Sequence, residues 1–306
     1  MSETNSGVLI VNKPYGVTSH DVVNKIRRIY HTKKVGHTGT LDPMATGVLP
    51  VLVGGAVKAS EFLVSDEKNY CAVMRLGIET DTEDTSGNVL ATSDSIPCDE
   101  EVISVIGSFL GDYDQIPPMY SALKVGGEKL CDLARRGITV EREARRVKVF
   151  SISSKKIGDC EWEIDTCVSK GTYIRTLIAD IGKKLGCGAA MSALERRHAG
   201  SFSLEMSHTV DELEKMSEDE LGKILIPTEE LFSDCPRIAL APFYTRLAQN
   251  GAEIYLSRAG IKEPLTEGDR VRITDDSGAF FALGEVRSYT LGIAIKPIKF
   301  FKGENQ

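Results

Sequence analysis

No stretch of the 306-residue chain approaches the roughly 20 consecutive apolar residues that a membrane-crossing helix needs. The opening MSETNSGVLIVNKP lacks a basic region ahead of an apolar one, so no secretory leader is expected. Seven cysteines form an odd set without a C-x-x-C pair or a neighbouring histidine, which disfavours both a disulfide framework and a zinc site. A reducing cytoplasm is the expected compartment. Internal repeats and low-complexity tracts are absent, and a hydrophobic content of 42% excludes disordered and fibrous classes. The length suits one sizeable domain with room for a small second one. Basic charge is not in excess either: 37 Lys and Arg stand against 44 Asp and Glu, and a net charge of −7 argues by itself against general nucleic-acid binding.

That average hides a segregation. Residues 79–101 carry eight acids and no base, and residues 205–220 carry seven acids against Lys215. The remainder is basic. Lys25, Arg27, Arg28, Lys33 and Lys34 cluster without an acid, and residues 124–148 hold eight bases against four acids. Such segregation permits a polyanion on one face; a solvated surface with pairs such as Asp132 to Arg136 is the plainer alternative.

GVLIVN at 7–12 predicts a strand that ends at the Lys13-Pro14-Tyr15-Gly16 turn. Thr18 or Ser19 can cap a following helix, since Val22, Val23, Ile26 and Ile29 recur at helical spacing. Residues 36–47, GHTGTLDPMATG, hold three glycines and a proline and predict a loop, with a strand at 48–53 after it. Further strands are expected at 70–77, 146–153 and 162–168, with helices at 100–109, 128–136 and 172–185, the last closed by Gly186. After residue 226 the composition changes. Prolines at 227, 236 and 242 lead into strand, turn, strand, strand, the pattern of a small β-barrel or sandwich, and a second domain is placed at about 236–306.

Asp42 is the carboxylate to explain, because it sits between a glycine-rich turn and a proline-fixed backbone. It either caps the turn before Pro43 or performs chemistry. The loop has no Gly-Lys-Ser/Thr ending and no second nearby carboxylate, and the chain has no G-x-S-x-G and no H-E-x-x-H. A lone aspartate suits nucleophilic attack on an electrophilic carbon.

The stretch Gly36–Gly47 followed by Val48-Leu49-Pro50 resembles the catalytic motif of the TruB family of tRNA pseudouridine synthases. Other motifs follow in family order: Lys13-Pro14 with Gly16 and Ser19, Lys68-Asn69-Tyr70 with Arg75-Leu76-Gly77, and Thr80 to Asp84. Gln115 to Lys124, Lys170 to Arg175, and Leu194 with Arg196-Arg197 complete the set, which spans residues 13–197. Residues 236–306 more weakly resemble the PUA-like RNA-binding domain that often follows, chiefly at 265–269 and 282–286.

The resemblance implies an α+β fold, with a mixed, largely antiparallel central sheet of the pseudouridine synthase type in a catalytic domain at 1–233. An RNA-binding insertion at about 124–150 and a C-terminal β-rich PUA-like domain at 236–306 complete the expected organisation. It implies isomerisation of the T-loop uridine, conventional position 55, in tRNA, by extruding the nucleotide from its stack into a pocket and acting there without metal or organic cofactor. Asp42 is the implied nucleophile or elimination base, with addition at C1′, addition at C6 and removal of the 2′ proton all left open. Arg175 is the implied cation beside it, and Tyr70 the implied stacking partner of the base, its hydroxyl available for the C5 proton. Tyr173 and Leu194 resemble pocket residues, His37 resembles a contact inserted into the RNA loop, and Lys13 is expected to contact a phosphate or support the Tyr70 strand. Arg135, Arg136, Arg142, Arg145 and Arg146 are expected on an insertion closing over RNA, with Arg135, Arg136, Arg145 and Arg146 as backbone contacts. Cys71 should face away from Tyr70 as a small buried group. The tRNA T stem-loop is the implied partner of a monomer with no obligatory protein partner. The rival is an RNA-binding chaperone without chemistry, against which Asp42, Tyr70 and Arg175 all speak.

Overall fold

The computed structural model of the chain describes residues 6–62 and 67–301; residues 1–5, 63–66 and 302–306, the last within the expected C-terminal domain, lie outside that range. The run GVLIVNK forms β1 (Gly7–Lys13), with all residues but one buried. Leu9 and Val11 enter the main core on one face, while Val8 and Ile10 enter a second cluster on the other. Burial on both faces explains why β1 reads as a continuous apolar run and not as an alternation. Thr18 caps α1 (Ser19–Ile29) in a capping box with Asp21, and Val22, Val23 and Ile26 face the core.

β1, β2 (Val35–His37), β3 (Thr46–Val53), β4 (Glu67–Leu76), β5 (Gly111–Gln115), β6 (Arg145–Lys156), β7 (Glu161–Ser169), β8 (Ala189–Ala199), β9 (Phe202–Ser203) and β10 (His208–Thr209) form one sheet. Its order is β10-β1-β3-β8-β4-β7-β6-β5, with β2 on β3 and β9 on β8. β1 with β10 and β3 with β8 run parallel and the other pairs antiparallel, so the sheet is mixed and largely antiparallel, as expected. α1, α2 (Asp99–Gly107) and α4 (Ile174–Leu185) bury Val22, Val102, Ile106, Leu177, Ile178 and Ile181 against one face. α3 (Leu130–Arg135) is shorter than the helix expected at 128–136, because Glu128 and Lys129 pair instead with Lys124 and Val125 in a small hairpin. The opposite face of β7 carries Glu161, Glu163, Asp165, Cys167 and Ser169, all half-exposed. Cys71 lies on this polar face, opposite Asp165, and burial pushes its thiol up to about 11, out of the reactive range.

A second sheet follows, formed by β11 (Arg237–Ala239), β12 (Ile254–Tyr255), β13 (Arg270–Thr274), β14 (Phe280–Tyr289) and β15 (Gly292–Phe300) in the order β11-β13-β14-β15-β12. It has its own core of Ile238, Val271, Ile273, Phe281, Val286 and Ile295, and it includes a helix, α5 (Pro242–Gln249), absent from the sequence expectation. The two cores meet at a seam. Ala59 and Phe232 from the first pack with Leu283 and Phe301 from the second, flanked by Phe62 and Phe280. Glu229 accepts a 2.8 Å bond from Arg237 Nε and lies 3.5 Å from Arg272 Nη1. Apolar and ionic contacts therefore join the two sheets along this seam. Among the described residues no helix is long and apolar enough to cross a membrane.

Candidate active site

The glycine-rich segment between β2 and β3 would be a floppy loop by composition; it is instead tied down through its main chain. Ser19 Oγ donates to the Leu41 carbonyl at 3.0 Å and accepts from the Leu41 N–H at 2.9 Å. The Pro43 carbonyl accepts from the Gly16 N–H at 2.8 Å and from Lys13 Nζ at 3.1 Å. From beneath, the fully buried Arg196 donates through Nε to the Val48 carbonyl at 2.7 Å and through Nη2 to the Gly39 carbonyl at 2.8 Å. Gly47 has φ +97°, and a Cβ there would fall 2.3 Å from the Arg196 carbonyl, so only glycine lets the loop enter β3 beside β8. These anchors flank Asp42 on both sides.

Asp42 remains 38% exposed at its side chain, whereas Arg175, in the first turn of α4, is 5% exposed; Arg175 Nε lies 2.9 Å from Asp42 Oδ2. The rest of the guanidinium is also occupied. Nη1 donates to the Thr82 carbonyl at 2.9 Å and lies 3.8 Å from Asp84 Oδ2, and Nη2 donates to the Tyr120 carbonyl at 2.8 Å. A planar fork held at four points has one orientation, which lysine could not reproduce. It therefore presents a fixed positive charge to a carboxylate that faces outward. The start of α4 is fixed in turn by Gln115, which is buried: its Oε1 accepts from the Tyr173 N–H at 2.8 Å and its Nε2 donates to the Tyr173 carbonyl at 3.0 Å.

Tyr70 and Leu194 are each 8% exposed in the main core; Arg196, which holds the loop at Gly39, pairs with Tyr70 across β8 and β4, and the Leu194 carbonyl accepts from Thr46 Oγ1 at 3.4 Å where the loop enters β3. Tyr173 is half-buried at the α4 N-cap, its hydroxyl pKa raised by burial. His37, on β2, faces a groove of about 900 Å³ together with Thr38, Gly39, Pro50 and Lys68. Its Nδ1 is buried with no partner among the described residues, and burial followed by Arg196 lowers its pKa, keeping the ring neutral. Arg135 and Arg136 are exposed at the end of α3, paired with Asp132 and Glu128. Arg142 donates to the Pro117 carbonyl at 2.9 Å. Arg145 and Arg146, adjacent on β6, point to opposite faces: Arg145 lies opposite Gln115, while Arg146 faces Asp112 and Asp114.

Lys13 departs from the expectation of a phosphate contact or a support for Tyr70. It is wholly buried and gives its three ammonium hydrogens to the carbonyls of Pro14, Val17 and Pro43, and β3 and β8 separate its strand from β4. Its work is to hold the chain beside Asp42. Burial brings its pKa down from 10.5 to about 8, with Asp42 opposing and Arg196 reinforcing. Between those two values the unfolded chain binds the proton and the folded chain does not, so this group adds stability as pH rises from about 8 to 10 and loses it as pH falls through 8. Chemical denaturation of the wild type and Lys13→Met across that range should show the wild type gaining on the variant with pH; a constant difference would mean that Lys13 stays charged.

Sequence reasoning assigned no role to Arg196, Asp84 or Gln115 and offered Ser19 only as a possible helix cap, although each lay inside a quoted motif. An arginine, an aspartate, a glutamine and a serine in those strings read as surface residues, and only their burial reveals what they hold.

Comparison with known proteins agrees with this arrangement. The profile described as TruB family pseudouridylate synthase (N terminal domain) matches residues 27–174, and that described as tRNA pseudouridylate synthase B C-terminal domain matches residues 175–233. A protein of Clostridium tetani named tRNA pseudouridine synthase B is 44% identical over 281 residues, covering 92% of this chain and 95% of that one. A protein of the same name from Saccharophagus degradans is 40% identical, covering 92% of both chains. A crystal structure of a Cbf5-Nop10-Gar1 complex superposes with a TM-score of 0.71 at 30% identity, covering 98% of this chain and 86% of that one. With both profiles matched in chain order and relatives aligned over nearly its whole length, the chain belongs to the TruB family of pseudouridylate synthases.

Proposed function

We propose that the chain isomerises uridine to pseudouridine in the T loop of tRNA, as a monomer in the cytoplasm that uses no metal or organic cofactor. The observation that carries this reading is the half-exposed Asp42 carboxylate held 2.9 Å from a buried, fully engaged arginine. The names of the relatives, tRNA pseudouridine synthase B, support tRNA as the RNA. The reaction breaks the N1–C1′ bond, turns the base while it is held, and forms C5–C1′; the C5 proton leaves and N1 gains one, so no external atom is consumed. Asp42 supplies the nucleophile or base for cleavage. Arg175 keeps that carboxylate aimed. Tyr70 gives the extruded base a ring to stack on, with Leu194 and Tyr173 as pocket walls. His37, neutral and beside the groove, occupies the space the nucleotide leaves, while Arg135, Arg136, Arg145 and Arg146 contact phosphates. The C-terminal β domain adds contacts to the rest of the RNA, each lost phosphate contact reducing the salt slope of binding by about 0.7–0.9.

The test is incubation with an unmodified tRNA transcript followed by mapping of pseudouridine at single-nucleotide resolution. A product confined to the T loop supports the proposal. Modification elsewhere, or none by a folded protein, refutes it.

Tyr70 carries a separable expectation. Tyr70→Leu removes both ring and hydroxyl and should weaken the productive complex by about 1–3 kcal/mol of stacking. Tyr70→Phe removes the hydroxyl alone, and should still cleave the glycosidic bond while accumulating an arrested intermediate. Single-turnover kinetics with intermediate trapping reads both, and a full wild-type rate for Tyr70→Phe would leave stacking as the ring's sole task.

A further inference from the structure

One residue beside the Arg175 fork adopts a backbone conformation that the fork itself does not explain. Glu83 has φ +63°, a left-handed value seldom taken by a residue with a side chain and natural to glycine. Its neighbours on both sides face Arg175: the Thr82 carbonyl accepts from Nη1 at 2.9 Å, and Asp84 Oδ2 lies 3.8 Å away. The left-handed turn at the middle residue lets a carbonyl and a carboxylate from flanking positions converge on one nitrogen. The Glu83 side chain meanwhile accepts a 2.5 Å bond at Oε2 from Thr176 Oγ1, the residue after Arg175 on α4. Its main-chain carbonyl accepts from the Met191 N–H at 3.1 Å, tying the same turn to β8. Strained conformations of this kind persist only where the surroundings over-determine them.

We infer that Glu83 is a positioning residue: its bond to Thr176 locks the 80–85 turn in register with the first turn of α4 and so holds the Arg175 fork that meets Asp42. Glycine would be the relaxed choice for the backbone, and the chain carries a glutamate whose side chain makes the link that glycine lacks. Burial raises the pKa of the Glu83 carboxyl, as does Asp180 on α4, while Thr176, Arg175 and Arg142 oppose the rise. The bond to Thr176 needs only an acceptor oxygen, so the amide of glutamine satisfies it as well as a carboxylate.

The inference rests on the proposed pseudouridine synthase activity for one of its readouts and not for the other. Solvent exchange of the Arg175 Nε–H, followed by ¹⁵N NMR and assigned through Arg175→Lys, reads the ion pair with no RNA present. Single-turnover pseudouridine formation reads the consequence. Glu83→Ala and Thr176→Val should each speed the exchange and slow the reaction about tenfold, with the dissociation constant for tRNA within about twofold of wild type. Glu83→Gln should restore both readouts. Glu83→Gly relaxes the backbone and should melt above Glu83→Ala, yet react as slowly, which separates positioning from folding. The double variant Glu83→Ala/Thr176→Val should be no slower than its slower parent. Wild-type exchange in folded Glu83→Ala and Thr176→Val overturns the inference, as does a Glu83→Gln variant as impaired as Glu83→Ala. A wild-type protein that makes no pseudouridine would defeat the enzymatic reading alone, because the exchange experiment still decides whether the clamp exists.

Discussion

Asp42→Asn is expected to lower the single-turnover rate of pseudouridine formation by roughly 10⁴-fold or more, the scale seen when a group that attacks substrate is removed. The dissociation constant for tRNA should stay within a few-fold. The structure explains why these two effects separate. The bonds that shape the loop go to its main chain, from Ser19 to Leu41, from Lys13 and Gly16 to Pro43, and from Arg196 to Gly39 and Val48. None of them uses the Asp42 carboxylate. Its side chain is also partly open to water, so the amide replaces it without a buried hole, and Arg175 keeps its two carbonyls and Asp84. The variant should therefore fold, melt near wild type and bind. Deamidation would regenerate aspartate and must be excluded by mass spectrometry. Substantial turnover by intact Asp42→Asn protein would remove Asp42 from the reaction.

What the sequence disclosed depended on how each residue's task is written locally. α1 was legible because its cap, its first-turn acid and its apolar stripe all lie within a dozen residues. α4 was legible from its apolar stripe and its stop signal, and Gly186 takes the left-handed φ of 76° expected of a helix-ending glycine. β8 was not legible, although it lies at the centre of the sheet between β3 and β4. Its sequence AAMSALERRHA mixes small, polar and charged residues, and register shifts at Met191/Ala193 and Arg196/His198 break the alternation that marks a strand. Arg196 sits inside that strand and donates to one main-chain carbonyl of the distant Gly-rich loop, at Gly39, and one of β3, at Val48. No local rule announces such a requirement. The candidate site divides along the same line. The motifs marked Asp42, Tyr70 and Arg175 as residues to watch, but the meeting of Asp42 with Arg175, 133 positions apart, is a product of topology. Lys13 was misread because an exposed lysine and a buried one look alike in sequence; burial turned an expected phosphate contact into a fixture for the loop.

Arg175 is where stability and chemistry should fail together. Its guanidinium is buried and satisfies Asp42, Asp84 and the Thr82 and Tyr120 carbonyls at once. Arg175→Met fills much of the same volume but leaves Asp84, itself buried, facing an apolar chain, and strips both carbonyls of their donor. Breaking a buried ion pair from one side costs about 3–5 kcal/mol, so this variant should show a large fall in melting temperature beside the loss of activity. Arg175→Lys keeps the charge and a single point of contact, which cannot reach Asp42, Thr82 and Tyr120 together. It should recover much of the stability and little of the rate, remaining roughly 100-fold or more below wild type because a misaimed carboxylate is as costly as a missing contact. Adding Asp42→Asn to Arg175→Lys should then lower the rate by less than Asp42→Asn does alone, since both changes act on one unit. Thermal melts and single-turnover rates on the same four proteins read the whole set. If Arg175→Lys reacts at the wild-type rate, the fork is a structural rivet only, and the orientation of Asp42 must come from the loop anchors instead.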